Sequence, residues 1–136
     1  MVKATVSTGA DIPAAAQSLV AAAVDAIWIP TDNTVVAGIA GLVGPCEYSD
    51  IPLFAADVST VEAGALGAWG MDYYEVGNYS GQMAAEILLN GANPATMPVQ
   101  TLPADFLYLN TQAAENMGEI TIPQWLIDMA YEVVTD

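Results

Sequence analysis

Three short apolar runs, "DAIWIP", "IPLFAAD" and "ALGAWGMD", recur between Asp25 and Asp72, and each leads into polar residues able to start a helix. A chain with this rhythm has few ways to bury itself. Strands alternating with helices imply an α/β fold, with a mainly parallel sheet flanked by helices. The first run lacks clean apolar–polar alternation, as a strand covered on both faces does. Right-handed crossovers put every strand-to-helix turn on one edge of the sheet, where open α/β sheets bind ligands. The packets "PTDN", "AAD" and "GMDYY" are therefore expected to converge in space.

The remaining segments extend the pattern. "KATVST", from Lys3, is rich in β-branched residues and reads as a strand. Asp11 is placed to cap "AAAQSLVAAAV", and Pro13 suits a first helical turn. "NTVVAGIAGLV" reads as a helix whose glycines imply close packing, stopped by Gly44 and Pro45. Ser59 and Glu62 have the spacing of a capping box for a short helix closed by Gly64. Asp72 and Glu75 open the longest helix, "YYEVGNYSGQMAAEILLNG", in which Val76, Ser80, Met83 and Ile87 recur at helical spacing before the Asn90–Gly91 stop. "NPATMP" is a linker, "VQTLPADFLYLN" an extended segment and "TQAAENMG" a short helix. "TIPQWLIDMAYEVV" reads as a closing amphipathic helix with Trp125, Leu126, Met129 and Val133 on one side. Trp28, Phe54, Met83 and Trp125 are assigned to the core, and Trp69, within a strand, reads more readily as core than as ligand platform.

The 136 residues, 54% hydrophobic, are enough for one globular domain with a core. The net charge of −15 reflects a lack of bases: Lys3 is the only cation, with no Arg and no His. That excludes nucleic acid, whose phosphates require Lys and Arg, and anionic membrane surfaces. The uncompensated acids repel one another, so moderate salt is expected to stabilise the fold. One cysteine, Cys46, permits no internal disulfide and has no His to activate it, so it reads as a small buried residue. No apolar run is long enough to span a bilayer. "MVKATVSTGAD" lacks the basic-then-apolar order of a signal peptide, so any address label is expected outside this chain.

The same poverty of bases narrows the chemistry. There is no Ser-His-Asp set, no phosphate loop with its lysine and no Cys/His metal cluster. No catalytic residue, cofactor or metal is expected. Asp32, Asp57 and Asp72 could in principle gather magnesium, and Asp57 at a strand end is reminiscent of a phosphate-accepting aspartate, but Lys3 is poorly placed to assist. Non-covalent recognition fits better. Carboxylates near Tyr73, Tyr74 and Trp69 suit a ligand with an ammonium group and an apolar or aromatic body, with Thr31 and Asn33 as neutral orienting groups. Each packet also has a plainer reading. Thr31, Asp32 and Asn33 could only cap a helix, Asp72 looks like a simple N-cap, and Asp57 is freer for function if Ser59 supplies the cap.

The ordered combination "DAIWIPTDNTVVAGI", "IPLFAADVSTVEAGALGAWGMDYYEVGNYSGQMAAEILLNGANPATMPVQT" and "NTQAAENMGEITIP" closely resembles the ABC-transporter substrate-binding protein family that includes tryptophan- and tyrosine-binding members. The resemblance implies a type I periplasmic-binding-protein fold, in which two α/β lobes close on a solute by hinge motion and deliver it to a membrane permease. It implies an extracytoplasmic parent protein that is not an enzyme. By position, Thr31, Asp32 and Asn33 match the first cleft segment of the second lobe. Asp57 matches the strand-end carboxylate facing the ligand, and Asp72 and Tyr73 a segment near a hinge crossing. The resemblance divides the chain into residues 1–72, a partial second lobe; 73–98, a helix and linker crossing to the first lobe; and 99–136, a returning extended segment with C-terminal helices. Nearly all of the first lobe is missing, as is the strand–helix unit that opens the second. That absent strand belongs between "KATVST" and "DAIWIP", so either these two pair directly or strand edges lie open. The expectation is a partial solute-binding component of an ABC importer, holding a small amino acid, aromatic by preference. A remnant without a ligand, or a self-associating half-domain forming homo-oligomers, is the alternative.

Overall fold

The computed structural model describes residues 1–118 and 120–135, and these form a five-stranded sheet in the order β1-β2-β3-β4-β5. The strands are β1 (Ile27–Ile29), β2 (Leu53–Ala55), β3 (Gly67–Gly70), β4 (Phe106–Asn110) and β5 (Glu132–Val134). The pairs β1–β2, β2–β3 and β4–β5 are parallel, and β3–β4 is antiparallel. The mainly parallel α/β fold expected from the alternation of segments is the one observed.

One face of the sheet carries the main core. Ile27, Ile29, Leu53, Ala55 and Ala68 point into it and meet Ile12 and Ala16 of α1 (Ile12–Ala21) and Leu42 and Cys46 of α3 (Ala40–Tyr48). Each fully buried aliphatic side chain there contributes roughly 1.5–3 kcal/mol. Gly38, before α3, and Gly41, in its first turn, do what close packing requires. A Cβ on Gly38 would collide with the Ile12 side chain, and one on Gly41 would lie 3.3 Å from both Ile12 and Pro13. A smaller apolar group, Leu66 with Ala113 and Ala114 of α5 (Thr111–Asn116), packs with Ile120 and Ile122.

Several local expectations are corrected. Lys3–Thr8 forms no strand: residues 1–5 are exposed, and only Val6 packs on the core. A strand needs a neighbour, and among the described residues none pairs with this segment. The segment "NTVVAGIAGLV" is split into α2 (Asn33–Ala37) and α3, with Gly38 as the C-cap of α2. Pro45 lies inside α3 rather than ending it. Gly44 has no Cβ to meet the proline ring, which relieves part of the clash that usually keeps the preceding residue out of helix. Asp11 does not cap α1 with its side chain. Its carboxylate turns back to accept hydrogen bonds from the Ser7 and Thr8 amides, at 3.1 and 2.8 Å, and these hold its pKa below the usual value. The closing helix stops at α6 (Gln124–Met129), after which Ala130 turns extended and β5 adds to the sheet beside β4. Val133 and Val134 are β-branched, and pairing with β4 suits them better than another helical turn.

The core assignments of the large side chains are corrected as well. Trp28 is 64%, Phe54 38%, Trp69 52% and Trp125 62% exposed, and Met83 is half-buried. The register explains the first three. Trp28 lies opposite Phe54, Phe54 opposite Gly67, and Trp69 two residues beyond Gly67. All three therefore project from the face opposite the main core, whereas α1 and α3 both pack on the other side.

The longest helix, α4 (Tyr73–Asn90), ends at Gly91 in the left-handed conformation, as expected from Asn90–Gly91. It buries no residue. No helix among the described residues is long and apolar enough to cross a membrane.

Candidate functional site

The strands β1, β2 and β3 run parallel and adjacent, so the segments leaving their carboxyl ends lie in a row on one edge of the sheet. Thr31, Asp32 and Asn33 follow β1, Asp57 follows β2, and Asp72 and Tyr73 follow β3. The three packets come to one rim. Thr31, Asp32, Asn33 and Tyr73 are exposed there, while Asp57 and Asp72 are half-buried.

Each aspartate is the N-cap of the turn or helix after it. Asp32 Oδ1 accepts from the Thr34 and Val35 amides, at 2.8 and 3.1 Å. Asp57 Oδ1 accepts from the Ser59 amide at 3.0 Å and from the Ser59 hydroxyl at 2.7 Å. Asp72 Oδ1 accepts from the Tyr74 amide at 2.7 Å. The plain capping reading is thus correct for Asp32 and Asp72, and the assignment of the cap beside Asp57 to Ser59 is corrected. The turn there is a 3-10 turn, Val58–Thr60, capped by Asp57, with Ser59 serving as donor.

Capping and ligand recognition are compatible in this geometry. In each case only Oδ1 is engaged among the described residues, so Oδ2 is left as an acceptor. The cap tethers the carboxylate and lowers the entropy cost of presenting it. Three tethered carboxylates in a row, in a chain with sixteen acids and one lysine, make a rim suited to a cationic group and hostile to anions.

Sequence reasoning missed two features of this rim and one buried tie behind it. Because β4 runs antiparallel, its first residue, Phe106, lies opposite Gly70 at the same edge. Beside Asp72 it helps line a pocket of about 220 Å³ with Glu75, Tyr79, Pro103 and Asp105. Phe106 and Tyr108 form an aromatic group with Tyr131, at centroid distances of 4.7 and 5.5 Å. Burial, followed by the charges of Asp72 and Glu132, raises the Tyr108 phenol above its usual pKa. The extended character of "VQTLPADFLYLN" was legible, but its direction was not.

The tie is Asn110, buried at the end of β4, on the sheet edge opposite the rim. Its Nδ2 donates to the Val61 carbonyl at 2.8 Å, and its Oδ1 accepts from the Ala113 amide at 2.8 Å. One side chain thus ties the turn that carries Asp57 to the start of α5. Gly70 helps seat that turn, since a Cβ there would collide with the carbonyl of Ala56, the residue before Asp57. Among the described residues no group of three or more His, Cys, Asp or Glu side chains is arranged to hold a metal ion.

Comparison with known proteins agrees with this architecture. The family model described as "ABC transporter substrate binding protein" matches residues 1–134. A tyrosine-binding protein of Clostridioides difficile is 31% identical over 110 residues, which is 81% of this chain and 31% of that protein. A conserved domain protein of Vibrio cholerae, solved as a crystal structure, aligns with a TM-score of 0.84 at 35% identity, over 97% of this chain and 44% of the other. An ABC domain from Streptococcus pneumonia solved in complex with L-Trp aligns with a TM-score of 0.82 at 30% identity, over 95% of this chain and 43% of the other. The chain therefore spans less than half the length of each of these relatives.

Proposed function

We propose, because this chain belongs to the ABC transporter substrate-binding protein family, that its aspartate rim is one wall of a binding site for a small amino acid, aromatic by preference. The family is one of substrate-binding proteins, not of enzymes. The observation that carries the reading is the set of three N-cap aspartates on adjacent strand ends, each with Oδ2 unengaged among the described residues. The ligand ammonium pairs with Asp57 Oδ2, with Asp32 and Asp72 on either side. Thr31 and Asn33 orient the ligand's polar end, and Tyr73 packs on its body. The L-Trp complex and the tyrosine-binding relative support an aromatic amino acid.

The site is an interlobe cleft in the full-length context. Residues 1–72 supply one wall, 73–98 cross to the opposite lobe, and 99–136 return. The loaded protein hands its solute to an ABC permease on the extracytoplasmic side of the membrane. One wall binds weakly by itself, since enclosure and the facing contacts are absent.

Calorimetric titration of this chain with L-tryptophan, L-tyrosine and the branched aliphatic amino acids tests the proposal. Aromatic amino acids are expected to bind with a dissociation constant of roughly tens to hundreds of micromolar. Asp57→Ala is expected to weaken this at least about tenfold, equivalent to ~1.4 kcal/mol. Binding that is unaffected by Asp57→Ala removes Asp57 from the site. No heat with any of them leaves the chain as a remnant without a ligand.

A further inference from the structure

The turns of the rim have amides that would ordinarily receive an anion, and the chain's own acids already occupy them. Helix N-termini and tight turns present unpaired N–H groups, which is why carboxylates bind there. At the start of α2, the Thr34 and Val35 amides donate to Asp32. In the turn after β2, the Ser59 amide and hydroxyl both donate to Asp57. At α4, the Tyr74 amide donates to Asp72, and Glu75 adds a second acid to the first turn. The turn Gly9–Asp11, in contact with α2, repeats the arrangement: the Ser7 and Thr8 amides donate to Asp11. The pocket beside Asp72 gives an anion no refuge either, since Glu75 and Asp105 both line it. The sequence has no Arg or His, and its one lysine, Lys3, lies in the exposed opening residues. Thr31 and Asn33 are neutral and offset none of these charges.

We infer that this wall receives only the ammonium end of its ligand, and that the class it takes best by itself is an aromatic primary amine rather than the amino acid with the same side chain. The inference rests on the reading of the rim given above and specifies which end of the solute the rim recognises. An ammonium is drawn to the Oδ2 atoms of Asp32, Asp57 and Asp72. A carboxylate on the same carbon meets like charges, and each rim cap is already filled by an aspartate. Removing the ligand's carboxylate therefore strengthens binding to this wall. Selection of an amino acid over its amine must come from groups outside it, while the wall itself selects for positive charge and an aromatic body.

The test titrates the full, isotope-labelled chain with tryptamine, L-tryptophan and indole-3-propionate near neutral pH and at low ionic strength. The three share the indole ring and carry, respectively, an ammonium, both charges and a carboxylate. Dissociation constants are read from the Thr34, Ser59 and Tyr74 amides. Tryptamine is expected to bind at least about threefold more tightly than L-tryptophan and at least about thirtyfold more tightly than indole-3-propionate. Asp57→Asn keeps a capping oxygen and deletes the charge, and is expected to lower the tryptamine-over-propionate ratio at least about threefold. Asp25→Asn deletes an equal charge at the opposite end of β1 and is expected to leave that ratio within about 1.5-fold, which separates the rim from the general pull of an acidic chain. L-tryptophan binding as tightly as tryptamine, or more tightly, overturns the inference and leaves the amino-acid reading standing. Equal affinity for tryptamine and indole-3-propionate, or equal effects of the two substitutions, overturns it as well. Tryptamine shifting the rim amides where L-tryptophan does not upholds the inference and removes the amino acid as this wall's own ligand. No shift at those amides with any of the three up to about 10 mM ends both.

Discussion

The body built on β1 to β3 and the helix α4 follow the same local rules and differ in one respect. Both begin helical segments with an aspartate cap, at Asp32 and Asp72, and both place apolar residues at helical or strand spacing. In the body the residues on the face toward α1 and α3 are buried, and Leu53 and Val61 are fully enclosed. In α4 none is buried: Val76, Met83 and Ile87 are half-covered, and Leu88 and Leu89 are exposed. Caps and propensity start a helix, but an isolated helix of this length is only marginally stable in water, and packing supplies most of the rest. α4 has the apolar pattern of a docked helix, yet no residue of it is buried among the described residues.

The largest expected contrast is between two leucine truncations. Leu53→Ala removes a fully buried side chain and is expected to cost about 3 kcal/mol in urea unfolding. Leu88→Ala is expected to change stability by less than about 0.5 kcal/mol. Equal losses would break the contrast and show α4 packed as firmly as the body.

Asn110→Ala comes next. It leaves the Val61 carbonyl and the Ala113 amide without their partner and is expected to cost about 2 kcal/mol. Asp57 loses part of its support as well, so amide exchange at Ser59 should quicken in this variant. A neutral outcome for both would show that the turn holds itself.

The smallest effect separates the body's interior from its surface by pH. Burial, with a lesser contribution from Glu47, raises the Cys46 thiol to about 11 from an ordinary value of 9.0. A thiol with a raised folded pKa favours the folded state while protonated. Its contribution is therefore complete below about pH 9 and is lost as pH rises toward 11. Cys46→Ala is expected to flatten that loss in thermal melts across the alkaline range, and an unchanged alkaline slope would assign it to other groups.

Sequence reasoning reached the three strands of the body, the capping by Asp32 and Asp72, and the meeting of the three turns at one edge, because these depend on local turns and on the handedness of crossovers. It failed where burial depends on partners elsewhere in the chain. Trp28 and Phe54 look like core residues by type, but nothing in a local window says that they project from the face opposite the main core and stay exposed. Lys3–Thr8 has strand composition, yet a strand forms only where a neighbour exists. Val133 and Val134 fit the end of an amphipathic helix until β4 offers its edge. Asn110 was invisible as a tie, since its partner Val61 lies far away in sequence.

The central claim is that three strand ends form one wall for an amino-acid ligand, and residue-resolved NMR of the labelled chain titrated with L-tryptophan tests it most directly. The account predicts saturable amide shifts confined to Thr31–Asn33, to Asp57 and Ser59, and to Asp72–Tyr74, all giving the same dissociation constant. Shifts centred on the exposed Trp28, Phe54 and Trp69 face, with the three aspartate turns unmoved, would contradict it.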